Sequence, residues 1–354
     1  MDRVLRHTGK GTLRITRLSI AHGSDAEQFA GGGCVSSDAN LVLDSSAVHD
    51  CHTFAVKNPD DQCEIGCSKG AWGGALSAND IRLVHTTVST SGAHDFTSQG
   101  GAVFARDRLT MFSSRLTGNV AMYGTAVFAG EVVAHDSLID HNGWDFDGNS
   151  YAEQGAIYVY AKPNSPGQAV LVRSAVVDNG AGCAAVCVEG RGAIVDSTIA
   201  RNQGTTILWF RDEGLVANST VAMNSASTAF VTDPVRCQGA ITTPVLMLDS
   251  SIAALNRCGS NYALDIVAGT ISGSHNLVQW SRARLPADTL RVNPKLQTLR
   301  FNGGPTPTMA LLDGSAAINS GSNPLGLESD QRGGGFPRVT GFSADIGAFE
   351  FKEP

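Results

Sequence analysis

The chain has 354 residues, 40 of them Gly, with charged residues at 17%, hydrophobic residues at 42% and a formal net charge of −7. Apolar content is too high and charge too low for a disordered chain, and there is no Gly-X-Y period for collagen. No apolar run reaches the roughly 18 residues of a membrane span, and the acidic balance argues against nucleic acid as the partner.

The opening MDRVLRHTGKGTLRITRLSI has no apolar h-region, so no signal peptide is visible. An exported protein would carry its leader outside this chain. A first, degenerate copy of a repeat covers GTLRITRLSIA, ending at Ala21. The full pattern is apolar-x-apolar-x-x-Ser-x-apolar-x-x-Asn. It reads LTMFSSRLTGN to Asn119, VVAHDSLIDHN to Asn142, AVLVRSAVVDN to Asn179, GAIVDSTIARN to Asn202, GLVANSTVAMN to Asn224 and LMLDSSIAALN to Asn256. Two earlier copies end in Cys51 and Ser91. The Asn-to-Asn steps are 23, 37, 23, 22 and 32 residues.

A period of 22–23 residues with short alternating strands and no helical pattern predicts an all-β parallel β-helix, a solenoid of about nine to ten coils with loop insertions. One copy cannot bury its own apolar face, but stacked copies share a core. A β-propeller would need about 40 residues per blade. The recurrent Ser and Asn are expected to form hydrogen-bonded ladders at the corners, with Asn adopting the left-handed backbone there.

Alternation sorts the columns. Leu41, Leu43, Val48, Leu109, Met111, Leu116, Leu246, Leu248 and Ala253 should point inward. A second strand, Gly-Ala-apolar-x-Ala, should bury Val35, Leu76, Val103, Val127, Ile157, Val186 and Leu208. Its neighbouring column, Ser36, Ser77, Phe104, Phe128, Tyr158, Cys187 and Trp209, should then face outward. An outward row of Phe104, Phe128, Tyr158 and Trp209 would be an aromatic platform for sugar rings. The alternative is a covered or inward stack.

Insertions are expected after the Asn corner, at 52–72, 92–99 and 143–154, with a further loop at 161–168. Within the third, Asp145, Asp147, Asn149 and Glu153 surround Gly148. This oxygen set suits calcium, although it lacks the EF-hand spacing, and an Asx-rich turn without metal is the simpler reading. His94, His135, His141 and Tyr151 are candidate bases for cleaving a uronate polymer, with Tyr158 beside them. Arg106, Arg173 or Arg201 could hold the sugar carboxylate. Asp95 with Asp145 or Asp147 would suit an inverting hydrolase. Each of these His has a plainer reading as a solvated surface residue. No serine-hydrolase elbow, zincin or nucleotide-binding motif is present.

The eight Cys fall in local pairs, Cys34 with Cys51, Cys63 with Cys67, Cys183 with Cys187 and Cys237 with Cys258. Disulfides are expected, with nearest-neighbour pairing as the simplest of the 105 connectivities.

The C-terminal part holds NGGPTPT (302–308), LLDGSAAINSG (311–321), DQRG (330–333) and DIGAFE (345–350). With the upstream coils, it resembles the choice-of-anchor Q group of right-handed parallel β-helix proteins of bacterial surfaces and secretions. The resemblance implies a right-handed helix and an extracytoplasmic location, secreted, periplasmic or at the cell surface. It implies no single reaction. The chain ends FEFKEP, without a sorting tail. Residues 1–280 are read as coils and 281–354 as a segment capping or packing along them. The functional expectation is polysaccharide binding, with or without uronate β-elimination. The alternative is an adhesin or structural rod with a protein partner.

Overall fold

The computed structural model describes residues 2–26, 31–54, 70–94, 97–143, 155–180, 182–226, 238–259 and 262–352. Among these every regular element is a β-strand, and all the long sheets are parallel. The chain forms two compact units. The first comprises Met1–Val133, Ile139–Gln168 and Asn179–Cys187; the second comprises Ala134–Leu138, Ala169–Asp178 and Val188–Pro354.

In the first unit one sheet stacks Leu5–His7, Val35–Ser37, Leu76–Val84, Val103–Phe112, the start of Val127–His135, and Ile157–Val159. Registry runs through one column, Leu5 on Val35, Val35 on Leu76, Leu76 on Val103 and Val127 on Ile157. A second sheet stacks Ser19–Ala21, Ala47–His49, Thr87–Ser89 and Arg115–Thr117. A third joins Ser24–Asp25, His52–Phe54 and Gly92–His94. This third sheet corrects the predicted insertions: residues 52–54 and 92–94 are strands, because the chain makes one more set of rung-to-rung hydrogen bonds after the corner before it leaves the stack.

The second unit repeats the plan. Gly190–Val195, Glu213–Ala217, Ile241–Asp249 and Ile266–Ser272 stack in register. So do Ala175–Val177, Thr198–Ala200, Thr220–Ala222, Ile252–Ala254 and Leu277–Val278. The predicted inward columns are fully or almost fully buried in both units, from Val35, Leu41, Leu43 and Val48 to Leu246, Leu248 and Ala253. Phe210, not anticipated, is fully buried, and two glycines make room for it. A Cβ on Gly192 would come within 2.0 Å of its ring, and one on Gly214 within 2.5 Å.

The polar ladders exist. Asn142 Oδ1 accepts from both N and Nδ2 of Asn119 at 3.0 Å. Asn142 in turn donates from N (2.9 Å) and Nδ2 (3.0 Å) to Asn179 Oδ1. Ser91 and Cys51 continue this column as predicted, with Cys51 N donating to Ser91 Oγ and Ser91 N to Asn119 Oδ1. In the second unit Asn202, Asn224 and Asn256 repeat the arrangement, and the buried carboxylate of Asp265 ends it. The Ser ladder runs Ser174, Ser197, Ser219, Ser251, each backbone N–H donating to the next hydroxyl at 3.0–3.1 Å.

The left-handed residue is not the Asn, contrary to expectation. It is the residue before it: Asp50, Thr90, His141, Asp178, Arg201, Met223 and Leu255 all have φ between 47° and 61°. The reason is geometric. That residue turns the corner with its side chain outward, so the Asn can aim inward and donate to the carbonyl two residues back, as Asn142 Nδ2 does to Asp140 O at 3.0 Å.

Another corner, before the aliphatic column, needs glycine. Gly124 has φ +62°, and a Cβ there would meet Val127 O at 2.0 Å; Gly32, Gly73 and Gly100 repeat the geometry. Because the obstruction is backbone, Gly124→Ala should cost about 2 kcal/mol or more. A thermal melt within a degree of the parent would show that the corner can relax.

The C-terminal segment lies along the second unit's coils. Leu296, Met309, Leu311, Ala317 and Ile346 share one cluster with Ala175, Ala200, Ala222, Ile252, Ala254 and Leu277. Those coil residues flank the inward-pointing Val176, Ile199, Val221 and Ala253, so they belong to the outer face of their sheet. The same outer positions in the first unit are polar or only half-buried, at Thr87, Ser89, Arg115 and Thr117. The segment's motifs perform the docking. Gln331 Oε1 accepts from Thr198 Oγ1 at 2.5 Å and Ala348 N donates to Thr220 Oγ1 at 3.1 Å, while within the segment Asp330 accepts from Glu350 N at 2.8 Å and ties the two motifs together. Arg332 lies over the rings of Phe336 and Phe349 at 4.1 and 3.8 Å.

Disulfides join Cys34 to Cys51 and Cys183 to Cys187. Cys258 is also disulfide-bonded. Cys63, Cys67 and Cys237 lie outside the described residues. No described helix is long and apolar enough to cross a membrane, and disulfides fit an oxidising, extracellular-type environment.

Candidate functional site

The aromatic column in the first unit is the most organised side-chain feature outside the core. Val103, Val127 and Ile157 point inward, and alternation places Phe104, Phe128 and Tyr158 on the other side of the same strands. One ring per coil then stacks on the next. Phe104 and Phe128 centroids are 5.7 Å apart and Phe128 and Tyr158 5.3 Å, with near-parallel planes. Two residues that sequence reading missed extend the ladder: Trp72 stacks on Phe104 at 5.5 Å, and Tyr160 on Phe128 at 5.0 Å. Tyr123 meets Tyr158 at 6.5 Å.

The expectation of an open platform needs adjustment. Phe104 is 8% exposed and Tyr158 9%, while Trp72, Tyr123, Phe128 and Tyr160 are half-buried. Stacking turns most ring faces toward each other, so the column presents edges more than faces. Ser77 and Cys187, placed outward in the same column, are buried, Cys187 within a strand that is buried along its whole length. Trp209 belongs to the second unit, where its register partner is Thr242.

A signal for Trp72 and Tyr123 was in the sequence. Gly31, Trp72, Gln99 and Tyr123 each precede a corner glycine, and they bridge one another in that order. This second column flanks the ladder and carries two half-buried rings, Trp72 and Tyr123.

Polar groups border the cluster. Arg106 is exposed and donates from Nη1 to Asn79 Oδ1 at 3.1 Å, and its carbonyl accepts from the Tyr160 hydroxyl. Lys162 Nζ pairs with Asp107 at 2.6 Å. Burial pushes the Tyr160 phenol above its ordinary pKa, so it stays a proton donor at neutral pH.

The predicted bases have different surroundings. His94 is exposed and ends the strand Gly92–His94. Its Nε2 lies 3.0 Å from His52 Nδ1, and its ring stacks on Phe54 at 4.8 Å. Burial holds His52 below the ordinary imidazole pKa, which keeps it uncharged near neutrality. His52 and Phe54 were missed because 52–54 was read as the start of an insertion. His141 is exposed, and its Nδ1 bonds to the buried carboxylate of Asp140 at 2.8 Å. Arg115 grips the same carboxylate from Nε and Nη2 at 2.8 and 2.5 Å. This fixes the imidazole while leaving Nε2 toward solvent.

His135 belongs to the second unit, and burial lowers its pKa. Arg173, a candidate for holding a sugar carboxylate, is already bidentate to Asp136 at 2.8 and 2.9 Å. Arg201 is paired to Asp178. Tyr151, Asp95 and the calcium set Asp145, Asp147, Asn149 and Glu153 lie outside the described residues. Among the described residues no three His, Cys, Asp or Glu converge as a metal site.

No protein-family model, curated protein or solved structure matches the chain.

Proposed function

We propose that this is an extracytoplasmic right-handed parallel β-helix protein of the choice-of-anchor Q type, which binds polysaccharide on the aromatic face of its first unit. The observation that supports this is the cluster of half-buried Trp72, Tyr123, Phe128 and Tyr160, bordered by Arg106 and Lys162. Amphipathic rings beside charged and amide groups suit the mixed C–H and hydroxyl surface of a sugar. Phe104 and Tyr158 act as the buried support of that surface, and Trp72 and Tyr123 as its contacts.

A panel of neutral and acidic polysaccharides, with calcium and with chelator, tests the reading. Trp72→Ala and Tyr123→Ala should each weaken binding about tenfold, equivalent to about 1.4 kcal/mol, with melting temperatures near that of the parent. Silence across the panel would leave the second reading, a surface rod, which the low exposure of Phe104 and Tyr158 favours. The panel also carries an ultraviolet readout, because uronate β-elimination leaves a conjugated double bond. Product formation lost in His94→Ala would turn recognition into catalysis.

A further inference from the structure

The third sheet of the first unit carries a histidine pair. His52 opens the strand His52–Phe54, and His94 closes the strand Gly92–His94. Register sets His52 opposite Gly92 and Phe54 opposite His94. Residues two apart on a strand share a face, so His52, Phe54 and His94 lie on one side of the sheet. Gly92 leaves that side bare. Its backbone is not left-handed, and a Cβ there would come within 2.7 Å of His94 Nε2 and 2.9 Å of Val120 Cγ2. The missing side chain is what lets the His94 ring lie back over position 92 toward His52.

Two observations point to a metal ion. The first is the spacing of the ring nitrogens, 3.0 Å from His52 Nδ1 to His94 Nε2. With metal–nitrogen bonds of about 2.0–2.1 Å, a right angle at the metal separates two ligand nitrogens by about 2.8–3.0 Å, and a tetrahedral angle by about 3.3–3.4 Å. The observed spacing is that of a cis pair on a square-planar or tetragonal ion. The second is that the rings are held in place. His94 stacks on Phe54 with centroids 4.8 Å apart and planes 13° from parallel, and the space its ring occupies exists because residue 92 is glycine.

We propose that His52 and His94 form a two-histidine site for a divalent transition-metal ion, copper(II) first and nickel(II) second. Imidazole suits both ions, and both favour right-angled nitrogen and oxygen coordination. As a hydrogen-bonded pair, one ring nitrogen donates its hydrogen to the other. On metal binding that hydrogen moves to the far nitrogen of its own ring, and both lone pairs turn to the ion. Two protein ligands leave the remaining positions to water or to a donor atom of an incoming molecule. A bound ion would occupy His94 Nε2 and so remove it as a base. The site does not rest on the polysaccharide reading.

The test is calorimetric titration of the full chain with copper(II), nickel(II) and calcium salts. The tightest copper(II) ion should bind at least tenfold more weakly to His52→Ala and, separately, to His94→Ala. The double variant should lose little more than either single one, because chelation needs both nitrogens. His141→Ala, which removes another exposed imidazole, should leave the affinity unchanged, and calcium should not compete. Electron paramagnetic resonance of the parent with one equivalent of copper(II) should show a tetragonal signal with two imidazole nitrogens, a readout that needs no variant to fold. Absence of saturable copper binding, a one-nitrogen spectrum, affinity kept in either single variant, or an equal loss in His141→Ala would each overturn the proposal.

Discussion

Asn142→Ala is expected to lower the unfolding free energy by on the order of 4 kcal/mol. The side chain is fully buried and serves the rung on either side. Its removal leaves Asn119 N without its acceptor, takes one of three acceptors from Asn119 Nδ2 and takes the side-chain donor from Asn179 Oδ1. It also strips the carbonyls of Leu116 and Asp140 of a donor each. Each orphaned buried group costs about 1–3 kcal/mol, and partial relaxation keeps the sum below the simple total. Urea unfolding followed by circular dichroism would report it. A loss under about 1 kcal/mol would mean that the ladder is ornament, with the apolar columns alone holding the stack.

The second large effect is a pH dependence centred on Asp196. Both carboxylate oxygens are buried without a hydrogen-bond partner. The fully buried Arg338 comes only within 3.7 Å, its donors directed to Gly347 O and Asp345 O and its charge shared with Glu350. Burial therefore outweighs the ion-pair attraction and pushes the Asp196 pKa up to about 8, with nearby Asp330 adding to the rise. The proton is held more tightly in the folded state than in the unfolded one. The resulting stabilisation is complete below about pH 4 and is lost as pH rises through about 8. Asp265, raised by burial to about 6, adds a smaller slope between about pH 4 and 6. Asp196→Asn keeps the site neutral. It should flatten the curve between pH 6 and 8 and stabilise the protein by roughly 2–4 kcal/mol at pH 8.5. If the variant keeps the parent's slope between pH 6 and 8, some other group carries it.

Much of the stack could be read from the sequence because each rung repeats the same solution. An apolar residue every 22–23 positions marks the core, and an Asn at the same place in each copy marks a ladder, since stacked amides each offer a donor and an acceptor to the next inside a dry corner. The third strand set could not be read that way: His52–Phe54 and Gly92–His94 are three residues each and share a backbone register, not a residue type. The docking of the C-terminal segment was half legible. Apolar Ala175, Val177, Ile252 and Leu277 beside an already apolar inward column signal a strand buried on both faces. The charged and polar groups of the partner motifs, DQRG and DIGAFE, are bonded within the segment and to the coils. The aromatic column was legible as a row, not in its burial, because face-to-face stacking depends on ring rotamers that residue order does not specify.

The outward left-handed residues before each ladder position have a further implication. Thr90, His141, Asp178, Arg201, Met223 and Leu255 share one backbone conformation and almost no chemistry. Inside the corner the sequence is locked; outside it the side chains differ widely, from exposed His141, Arg201 and Met223 to Leu255, which packs against the second unit's apolar cluster. Each coil therefore offers one address at which surface chemistry can be rewritten without disturbing the stack. Change can accumulate there, coil by coil, within each unit.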